Sequence, residues 1–320
     1  MRDQVTDPAG IGRLLDGLDL GIRNLVFVAK ASTCEVWRAD TAAGPVAVRV
    51  LAPHPGKTTE IDADVALRRQ LLAAGDALVA RPLADHRMRP GLAAAPHRPA
   101  WVIDHWIEGE RTVAGSGDAV WHELGRLLAK LHAIPVAGHG RLRIDGNGLA
   151  GRRGDMAAGI LDRFDDPWPF SGQPLAGHPL ADAAPAAGAI ASRLERLELA
   201  IRAASDAQPV IVHGDLNGAN IRQADGRLCG LIDFADASVL APAWDFALLR
   251  HFLGPRAVDR TLAGYTTDRA RADRLAGDAR LLALVVALHH LSRARTLGLP
   301  ERRATALDRL HTGLDEIEAG

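Results

Sequence analysis

The sequence has few of the features that mark secreted, metal-cluster or membrane proteins. Its two cysteines, Cys34 and Cys229, are too few and too isolated for a disulfide framework or a cysteine-rich metal cluster. No apolar run approaches the length of a membrane-spanning helix, and the first ten residues lack the apolar core of a secretion signal. We therefore expect a cytoplasmic protein without a membrane partner.

The chain also lacks an excess of charge of either sign. Its 320 residues include 38 Lys and Arg and 39 Asp and Glu, which gives a formal net charge of −1. A balanced surface provides no extended positive field, so we expect no nucleic-acid partner. Aromatic residues are scarce at 4%, but hydrophobic residues reach 48%, which suits one large or two moderate globular domains. The composition does not determine the oligomeric state.

The most informative stretch of the sequence runs from residue 212 to residue 234. It contains HGDLNGANI, which includes Asp215 and Asn220, and further on Asp233. Ala-Asp-Gly-Arg between two strand-like runs predicts a β-hairpin, whose open ends would bring Asn220 and Asp233 to one metal site. An Asp, an Asn five residues later and a second Asp beyond a hairpin are an arrangement used for phosphoryl transfer. The alternative is an Asx-rich turn and a hairpin with no chemistry.

The same stretch resembles the aminoglycoside phosphotransferase and choline kinase-like family, whose members are relatives of the protein kinases. His-Gly-Asp-Leu at 213–216, followed by Asn220, is similar to the family's catalytic loop, and Asp-Phe-Ala at 233–235 to its metal-binding triplet. Pro-Ala-Trp-Asp-Phe-Ala at 242–247 is similar to a downstream helix start, where an Asp, here Asp245, braces the catalytic loop. The resemblance spans residues 20 to 300, and its specific motifs lie between 213 and 247.

The resemblance implies an α+β fold of the two-lobed, protein-kinase-like type. Residues 1–106 would form a small β-rich N-lobe that binds the nucleotide, and residues 107–320 a larger, mainly helical C-lobe with the catalytic loop and the substrate site. ATP or GTP would lie in the cleft with Mg²⁺, and its γ-phosphate would pass to a hydroxyl of an aminoglycoside-like or other small polar acceptor. Two alternatives stay open: an inactive nucleotide-binding pseudokinase or regulatory module, and a kinase of a non-antibiotic metabolite.

Three residues carry the chemistry in this interpretation. Asp215 would orient the acceptor hydroxyl or accept its proton, and Asn220 and Asp233 would bind Mg²⁺. His213 also suggests the general base of a hydrolase, but no Gly-x-Ser-x-Gly elbow accompanies it. We therefore expect His213 to pack and form hydrogen bonds beneath the loop.

Arg49 is the candidate phosphate ligand of the N-lobe. It lies in the strand-like run VAVRV, at a position where many members of the family have Lys, and a guanidinium can hold two phosphate oxygens at once. The family's partner carboxylate aligns with Asp64, while Glu60 and Asp62 remain rivals. The alternative is a solvated Arg49, with Asp64 in a surface pair with Arg68 four residues later.

Two further segments of the N-lobe are candidates for nucleotide contacts. Ser32 and Thr33 lie between two strand-like runs, where the family has its nucleotide-covering loop, and they could offer hydroxyl and N–H donors to phosphates. An ordinary polar turn is the alternative, because this segment contains no glycine. The resemblance also implies that Ile103 and His105 line the adenine region through backbone groups.

Hydrophobic periodicity predicts four strands and one helix in the first hundred or so residues. The strands are expected at residues 24–30, 35–39, 46–51 and 101–106, and the helix is expected to stop at Gly75. Amphipathic helices are predicted in the remainder at residues 121–132, 190–203, 280–295 and 303–317.

The segment 138–185 is the least regular part of the sequence, and it is rich in Gly, Pro and Asp. It is either an ordered substrate-facing insertion or a mobile loop. A polycationic aminoglycoside would need an acidic site, and candidate acids are Asp155, Asp162, Asp165, Asp166, Asp259, Asp268 and Asp273. Arginines are interleaved with these acids, so the sequence does not choose the acceptor.

Overall fold

The structure is a computed structural model, and it describes residues 6–30, 34–51, 57–94, 100–146, 148–165, 167–175, 180 and 187–319. The chain divides into two compact units. The first comprises Met1–Gly109 and Cys229–Ala235, and the second comprises Glu110–Leu228 and Asp236–Gly320. The first break lies close to the boundary predicted after residue 106, whereas the return of Cys229–Ala235 to the first unit has no counterpart in the sequence prediction.

The first unit is built on a five-stranded antiparallel sheet. Its elements in chain order are α1 (Pro8–Asp16), β1 (Ile22–Lys30), β2 (Cys34–Thr41), β3 (Gly44–Leu51), α2 (Lys57–Ala73), β4 (Pro82–Asp85) and β5 (Trp101–His105). The strands lie in the order β1-β2-β3-β5-β4. The four predicted strands and the predicted helix are confirmed, and α2 stops before Gly75, whose φ of +88° suits glycine. The sequence did not predict α1 and β4.

Alternation along β3 and β5 separates the two faces of this sheet. Val48 and Ile103 are fully buried on one face, in the core that also contains the apolar side of α1. Val102 packs on the opposite face with apolar residues of α2. Because successive side chains of a strand point to opposite faces, Arg49 of β3 and Asp104 of β5 lie on the α2 face.

The second unit contains most of the helices. Its elements in chain order are β6 (Glu110–Arg111), α3 (Asp118–His132), β7 (His139–Asp145), β8 (Gly148–Arg153), α4 (Met156–Arg163), α5 (Ala187–Ser205), β9 (Val210–Val212), β10 (Ile221–Ala224), β11 (Arg227–Leu231, which ends in the first unit), β12 (Ser238–Leu240), α6 (Ala243–Leu253), α7 (Pro255–Tyr265), α8 (Arg269–Thr296) and α9 (Pro300–Ala319). Four of its strands form a sheet in the order β8-β7-β12-β9, and β10 pairs with β6. All four helices predicted for this part of the chain are confirmed.

The beginning of the segment predicted to be irregular is in fact ordered. Strands β7 (His139–Asp145) and β8 (Gly148–Arg153) pair antiparallel, and α4 follows directly. The side chain of Asp155 caps α4 by accepting a hydrogen bond from the N–H of Ala158 at 2.9 Å, which satisfies one of the unpaired donors of a helix start. High glycine content therefore marked a tight hairpin here and not a loop.

The turn between β10 and β11 has the conformation that its sequence predicts. Asp225 and Gly226 have φ values of +51° and +71°, so both central residues lie in the left-handed region. This is the geometry of the two-residue hairpin turns that Asp-Gly favours. The sequence therefore predicted the position of this hairpin turn.

The longest helix departs from one sequence expectation. We expected no apolar segment of membrane-spanning length. By length and composition alone, however, α8 is long and apolar enough to cross a membrane. In the structure 61% of its most apolar stretch is buried, and α8 packs against α5, α6 and α9. Core helices of globular domains have the same character, since a helix that is apolar on most sides is one that is surrounded by other elements.

Candidate active site

The loop that begins at His213 is fastened to the start of α6 by one buried carboxylate. Asp245, which is fully buried, accepts hydrogen bonds from the backbone N–H of His213 at 2.9 Å and from that of Gly214 at 3.0 Å. His132 Nε2 lies 3.1 Å from the Oδ2 atom of Asp245. Burial would raise the pKa of Asp245, but its contacts with His132, His213 and the Gly214 N–H outweigh this and lower the pKa. The structure therefore places Asp245 in the bracing position that the sequence predicted.

Gly214 is the position of this loop that requires glycine. Its φ of +79° lies in the left-handed region, and a Cβ atom there would lie 2.2 Å from the carbonyl oxygen of Asp236. Any side chain would have to displace backbone, so the path of the loop into Asp215 depends on this glycine.

The Asp215 carboxylate is oriented by two amide side chains, one on each oxygen. Asn217 donates to Oδ1 at 3.0 Å, and Asn220 donates to Oδ2 at 2.8 Å and to the carbonyl oxygen of Asp215 at 2.9 Å. Asp215 itself is partly exposed. Its carboxylate is therefore held in place while part of the side chain stays accessible. The contact between Asn217 and Asp215 was not predicted from the sequence.

His213 has a structural role in this loop. Its side chain is fully buried, and its Nδ1 atom accepts a hydrogen bond from the backbone N–H of Asp215 at 3.2 Å. A ring nitrogen that accepts from the backbone is not available as a base. This confirms the prediction that His213 packs and forms hydrogen bonds beneath the loop.

Arg163 supports the loop from the end of α4, a contact that the sequence did not suggest. Its guanidinium donates to the carbonyl oxygen of Gly214 and lies 3.6 Å from the carboxylate of Asp236. Asp236 also forms an ion pair with Arg141 of β7 at 2.9 Å. These partners are separated by tens of residues in the chain, so no local spacing could have revealed them.

In the first unit, two arginines and two aspartates form a closed ring. Arg49 donates to Asp64 at 2.7 Å and to Asp104 at 3.0 Å. Arg68 donates to the other oxygens of the same two acids, at 2.5 Å for Asp64 and 2.7 Å for Asp104. Each carboxylate thus bridges both guanidinium groups, and the four formal charges sum to zero.

The structure shows which of the three candidate acids is the partner of Arg49. Asp64 is fully buried and is the partner of Arg49, whereas Asp62 lies 3.3 Å from Arg87. Glu60 is also buried and lines a small cleft of the first unit together with Arg49. The expected pair of Asp64 with Arg68 exists as well, but it is not a surface pair, because Arg68 is only 1% exposed.

The ring keeps Arg49 and Asp64 ionised. Burial would lower the pKa of Arg49, but the charges of Asp64, Asp104 and Asp233 outweigh this and raise the pKa. Burial would likewise raise the pKa of Asp64, and the charges and hydrogen bonds of Arg49 and Arg68 lower it instead. Arg49 is therefore a permanent cation with only 12% of its side chain exposed.

Asp233 lies next to Arg49 in the same unit. Its carboxylate is 3.9 Å from Arg49 Nη1, and its side chain is 46% exposed. Its φ of +64° is in the left-handed region, which non-glycine residues seldom adopt and which recurs at functional positions. Asp233 and Arg49 both line the small cleft of this unit.

The remaining candidates for nucleotide contacts are less well defined. Ser32 and Thr33 lie outside the described residues. The side chain of Ile103 is fully buried in the core, and the strand that carries it lies between β3 and β4. His105 is half-buried, and its backbone N–H donates to the carbonyl oxygen of Arg81 at 2.9 Å. The contribution of these residues to adenine binding stays a prediction.

Most of the acids proposed for a cationic acceptor have other partners. Asp155 and Asp268 cap helices, and Asp162 binds Arg153 at 2.9 Å and the backbone N–H of Arg141 at 2.9 Å. Asp165 and Asp259 are exposed, Asp273 lies 3.9 Å from Arg269, and Asp166 is outside the described residues. Four of the six described candidates therefore already have a hydrogen-bond or ion-pair partner within the second unit.

Within the described residues, no group of three His, Cys, Asp or Glu side chains could hold a metal ion by itself. A metal bound by this chain would take the rest of its ligands from elsewhere. Mg²⁺ fits that description, because it commonly uses one or two protein ligands and completes its octahedron with phosphate oxygens and water.

Similarity to known proteins agrees with this geometry. The model of the APH family, described as the phosphotransferase enzyme family, matches residues 26–276. This chain belongs to that family. It is a phosphotransferase that acts on a hydroxyl group of a small molecule, as the sequence predicted. No curated protein sequence is significantly similar to this phosphotransferase.

Solved structures share the fold of this phosphotransferase at low sequence identity. Aminoglycoside phosphotransferase APH(4)-Ia is 15% identical with a TM-score of 0.69, over 97% of this chain and 99% of that one. APH(2'')-IIa, in complex with gentamicin, is 15% identical with a TM-score of 0.63, over 96% of both chains. Macrolide 2'-phosphotransferase MphH from Brachybacterium faecium is 16% identical with a TM-score of 0.59, over 93% of this chain and 96% of that one. The predicted α+β, protein-kinase-like fold is confirmed.

Proposed function

We propose that this phosphotransferase transfers the γ-phosphate of ATP or GTP to a hydroxyl of an aminoglycoside-like or other small polar acceptor, with Asp215 as the catalytic residue. One observation carries the proposal. The Asp215 carboxylate is held by an amide on each oxygen, in a loop that Asp245 fastens to α6. A carboxylate fixed in this way is prepared to receive a hydroxyl group in one orientation.

Asp215 acts on the acceptor hydroxyl in this proposal. Its partly exposed carboxylate accepts a hydrogen bond from the hydroxyl and orients the oxygen toward the γ-phosphorus. As the oxygen–phosphorus bond forms and the bond to the β-phosphate oxygen breaks, the hydroxyl proton passes to Asp215. Asn217 and Asn220 keep the carboxylate from rotating away.

Arg49 is the proposed phosphate ligand of the first unit. The ring occupies its Nε and Nη2 atoms with Asp104 and Asp64, and Nη1 lies on the side of Asp233. A guanidinium stays charged at every physiological pH, so Arg49 provides a fixed positive charge for phosphate oxygens. Asp64 acts through Arg49 in this proposal and does not touch the nucleotide.

Asp233 is proposed as a ligand of Mg²⁺, which would neutralise phosphate charge, and Asn220 is proposed as a metal ligand too. The residues suit the ion, because Asp233 is half-exposed and oxygen is the donor that Mg²⁺ prefers. The amide nitrogen of Asn220 is already bound to Asp215, so its Oδ1 atom is the one left for a metal.

The acceptor is the least constrained part of the proposal. One structure of APH(4)-Ia is a ternary complex with ADP and hygromycin B, which supports a nucleotide and a small polar acceptor here. The helix caps and ion pairs of the candidate acids favour an acceptor with fewer positive charges than a typical aminoglycoside. A neutral or weakly cationic hydroxylated metabolite is therefore the second candidate.

A phosphotransfer assay with purified protein tests the proposed function. ATP and GTP are each supplied with Mg²⁺ and a panel of aminoglycosides, amino alcohols, sugars and macrolides, and the phosphorylated product is identified by mass spectrometry. We expect a product that carries one added phosphate on a hydroxyl of at least one acceptor. Hydrolysis of nucleotide without a phosphorylated product across the panel, or no nucleotide binding at all, would contradict the proposal.

A further inference from the structure

The second unit contains a cavity that lies away from the catalytic loop. It is enclosed by the last turn of α6, the C-terminal half of α8 and the N-terminal half of α9, and it has a volume of about 420 Å³. Asp245, which holds the loop, is in the first turn of α6, whereas His251 and Phe252 of the cavity are in the last turn. Cavities of this size accommodate small organic molecules.

The cavity is lined by arginine side chains and by apolar side chains. Arg293, Arg302 and Arg309 contribute three guanidinium groups, and no carboxylate is among the described lining residues. Arg302 and Arg309 form no ion pair in the part of the chain that the structure describes. The guanidinium of Arg309 lies over the ring of Phe252, 5.5 Å from its centroid. Arg302 and Arg309 have no carboxylate within ion-pair distance in this part of the structure, although the charge of Asp308 acts on Arg309. Beside the aromatic ring they therefore favour a ligand that brings negative charge itself.

Two histidines that line the cavity, His251 and His290, are also affected by its arginines. His251 stacks on His290 with centroids 4.8 Å apart and planes 13° from parallel. Burial, His289 and the nearby arginines lower the pKa of His290 to about 3, and burial with His290 and Arg309 lowers the pKa of His251 well below its usual range. Both rings are therefore neutral at physiological pH. Burial disfavours a charge of either sign, but the contribution of the arginines to these shifts is one that favours an anion.

We propose that this cavity binds a small organic anion, whose carboxylate or phosphate is held by Arg302 and Arg309 and whose apolar body packs on Phe252. Guanidinium groups pair with both head groups through charge-assisted hydrogen bonds. The cavity lies at the end of α6 that is remote from Asp245 and the loop it holds, so this is a second ligand site. It does not depend on the proposed chemistry at Asp215.

Ligand-observed NMR titration of the full chain tests the proposal with four probes of similar shape. Benzoate and phenyl phosphate carry the two possible head groups, benzyl alcohol is the neutral control and benzylammonium is the cationic control. We expect saturable binding of at least one anionic probe, and affinity at least about tenfold weaker for the neutral and cationic controls, as expected for loss of charged hydrogen bonds. Equal binding of benzoate and benzylammonium, or no saturation by either anion, would overturn it.

Substitutions of the lining arginines test whether the anion binds in this cavity. In the double variant Arg302→Gln with Arg309→Gln, the Kd of the preferred anion should rise by about tenfold or more. The matched control is Arg303→Gln, which removes a neighbouring cation of α9 that does not line the cavity and should leave the Kd within about twofold.

Thr305→Phe provides a test that does not alter charge. Thr305 is an exposed residue at the cavity, and a larger side chain there should fill the space and abolish anion binding while the protein stays folded by circular dichroism. An unchanged Kd in both Thr305→Phe and the double arginine variant would place the anion elsewhere and refute the site.

Discussion

Asp64 of the first unit and Asp215 of the second are both carboxylates that two side chains hold in place, but the holders differ. Asp64 is fully buried and bound by two guanidinium groups, Arg49 and Arg68. Asp215 is partly exposed and bound by two neutral amides, Asn217 and Asn220. Two cations neutralise a carboxylate and fix it as a structural part. Two amides orient a carboxylate and leave its charge and one side for a reactant.

The two carboxylates should also respond differently when one of the side chains that bind them is removed. Removing one partner from a buried charge cluster leaves an uncompensated charge, which destabilises the fold. Removing one amide from a partly exposed carboxylate leaves a group that water can solvate, so the fold survives and the geometry of catalysis is lost. The predictions below proceed from the largest expected effect to the smallest and test this separation.

Arg68→Ala should have the largest effect on stability. The change leaves Asp64 and Asp104 with one cation between them inside the protein, and it should lower the free energy of unfolding by about 3–5 kcal/mol. Urea unfolding monitored by circular dichroism measures this. The matched control is Arg38→Ala, which breaks an exposed ion pair with Glu108 in the same unit and should cost at most about 1 kcal/mol. Equal costs for the two variants would show that the ring is not a buried charge cluster.

Asn217→Ala and Asn220→Ala should separate orientation from metal binding. Asn217 orients Asp215 and accepts a hydrogen bond from the backbone N–H of Ala219, but it is not a proposed metal ligand. Its loss should therefore lower kcat roughly tenfold with little change in the concentration of Mg²⁺ needed for half-maximal rate. Asn220 orients Asp215 and is a proposed metal ligand, so its loss should lower kcat further, by about a hundredfold, and raise that Mg²⁺ concentration. Both variants should unfold near the wild-type urea midpoint. An identical Mg²⁺ dependence in the two would argue against Asn220 as a ligand.

The pH dependence of stability should show the smallest effect. The ring lowers the pKa of Asp64 in the folded protein, so the unfolded chain takes up the proton first as the pH falls. The stabilisation is complete above the unfolded pKa of about 4 and is lost as the pH falls through the lower, folded value. Unfolding free energies measured from pH 6 to pH 3 should therefore fall more steeply for the wild type than for Asp64→Asn. Parallel slopes would contradict the assigned direction.

The sequence predicted the hairpin that follows Asp215 because the contacts that form it are local. Asp215 contacts residues two and five positions along the chain, and Asp225-Gly226 specifies the turn that follows. The family resemblance, aligned from Gly75 at the end of α2, also suggested Asp64 as the partner of Arg49 but left Glu60 and Asp62 as rivals, and the structure chooses Asp64.

The contacts that the sequence missed join residues far apart in the chain. Asp104 reaches Arg49 across 55 positions, and Arg163 reaches Gly214 across 51. The burial of Arg68 was also unexpected, because an arginine four residues after an aspartate is usually a surface pair. Arg68 is a buried member of the ring because α2 packs against the sheet and brings Arg68 to Asp104.

The central claim is that Asp215 is the catalytic residue of a phosphotransferase whose nucleotide ligands are other residues. Asp215→Asn keeps the size of the side chain and its place in the loop but removes the proton acceptor. The most direct measurement compares kcat for the best acceptor with the Kd of the Mg²⁺–nucleotide complex by calorimetry, in the wild type and in this variant. The account predicts that kcat falls by about 10²–10⁴-fold while the nucleotide Kd changes by less than about threefold. A kcat within about tenfold of the wild type would contradict it.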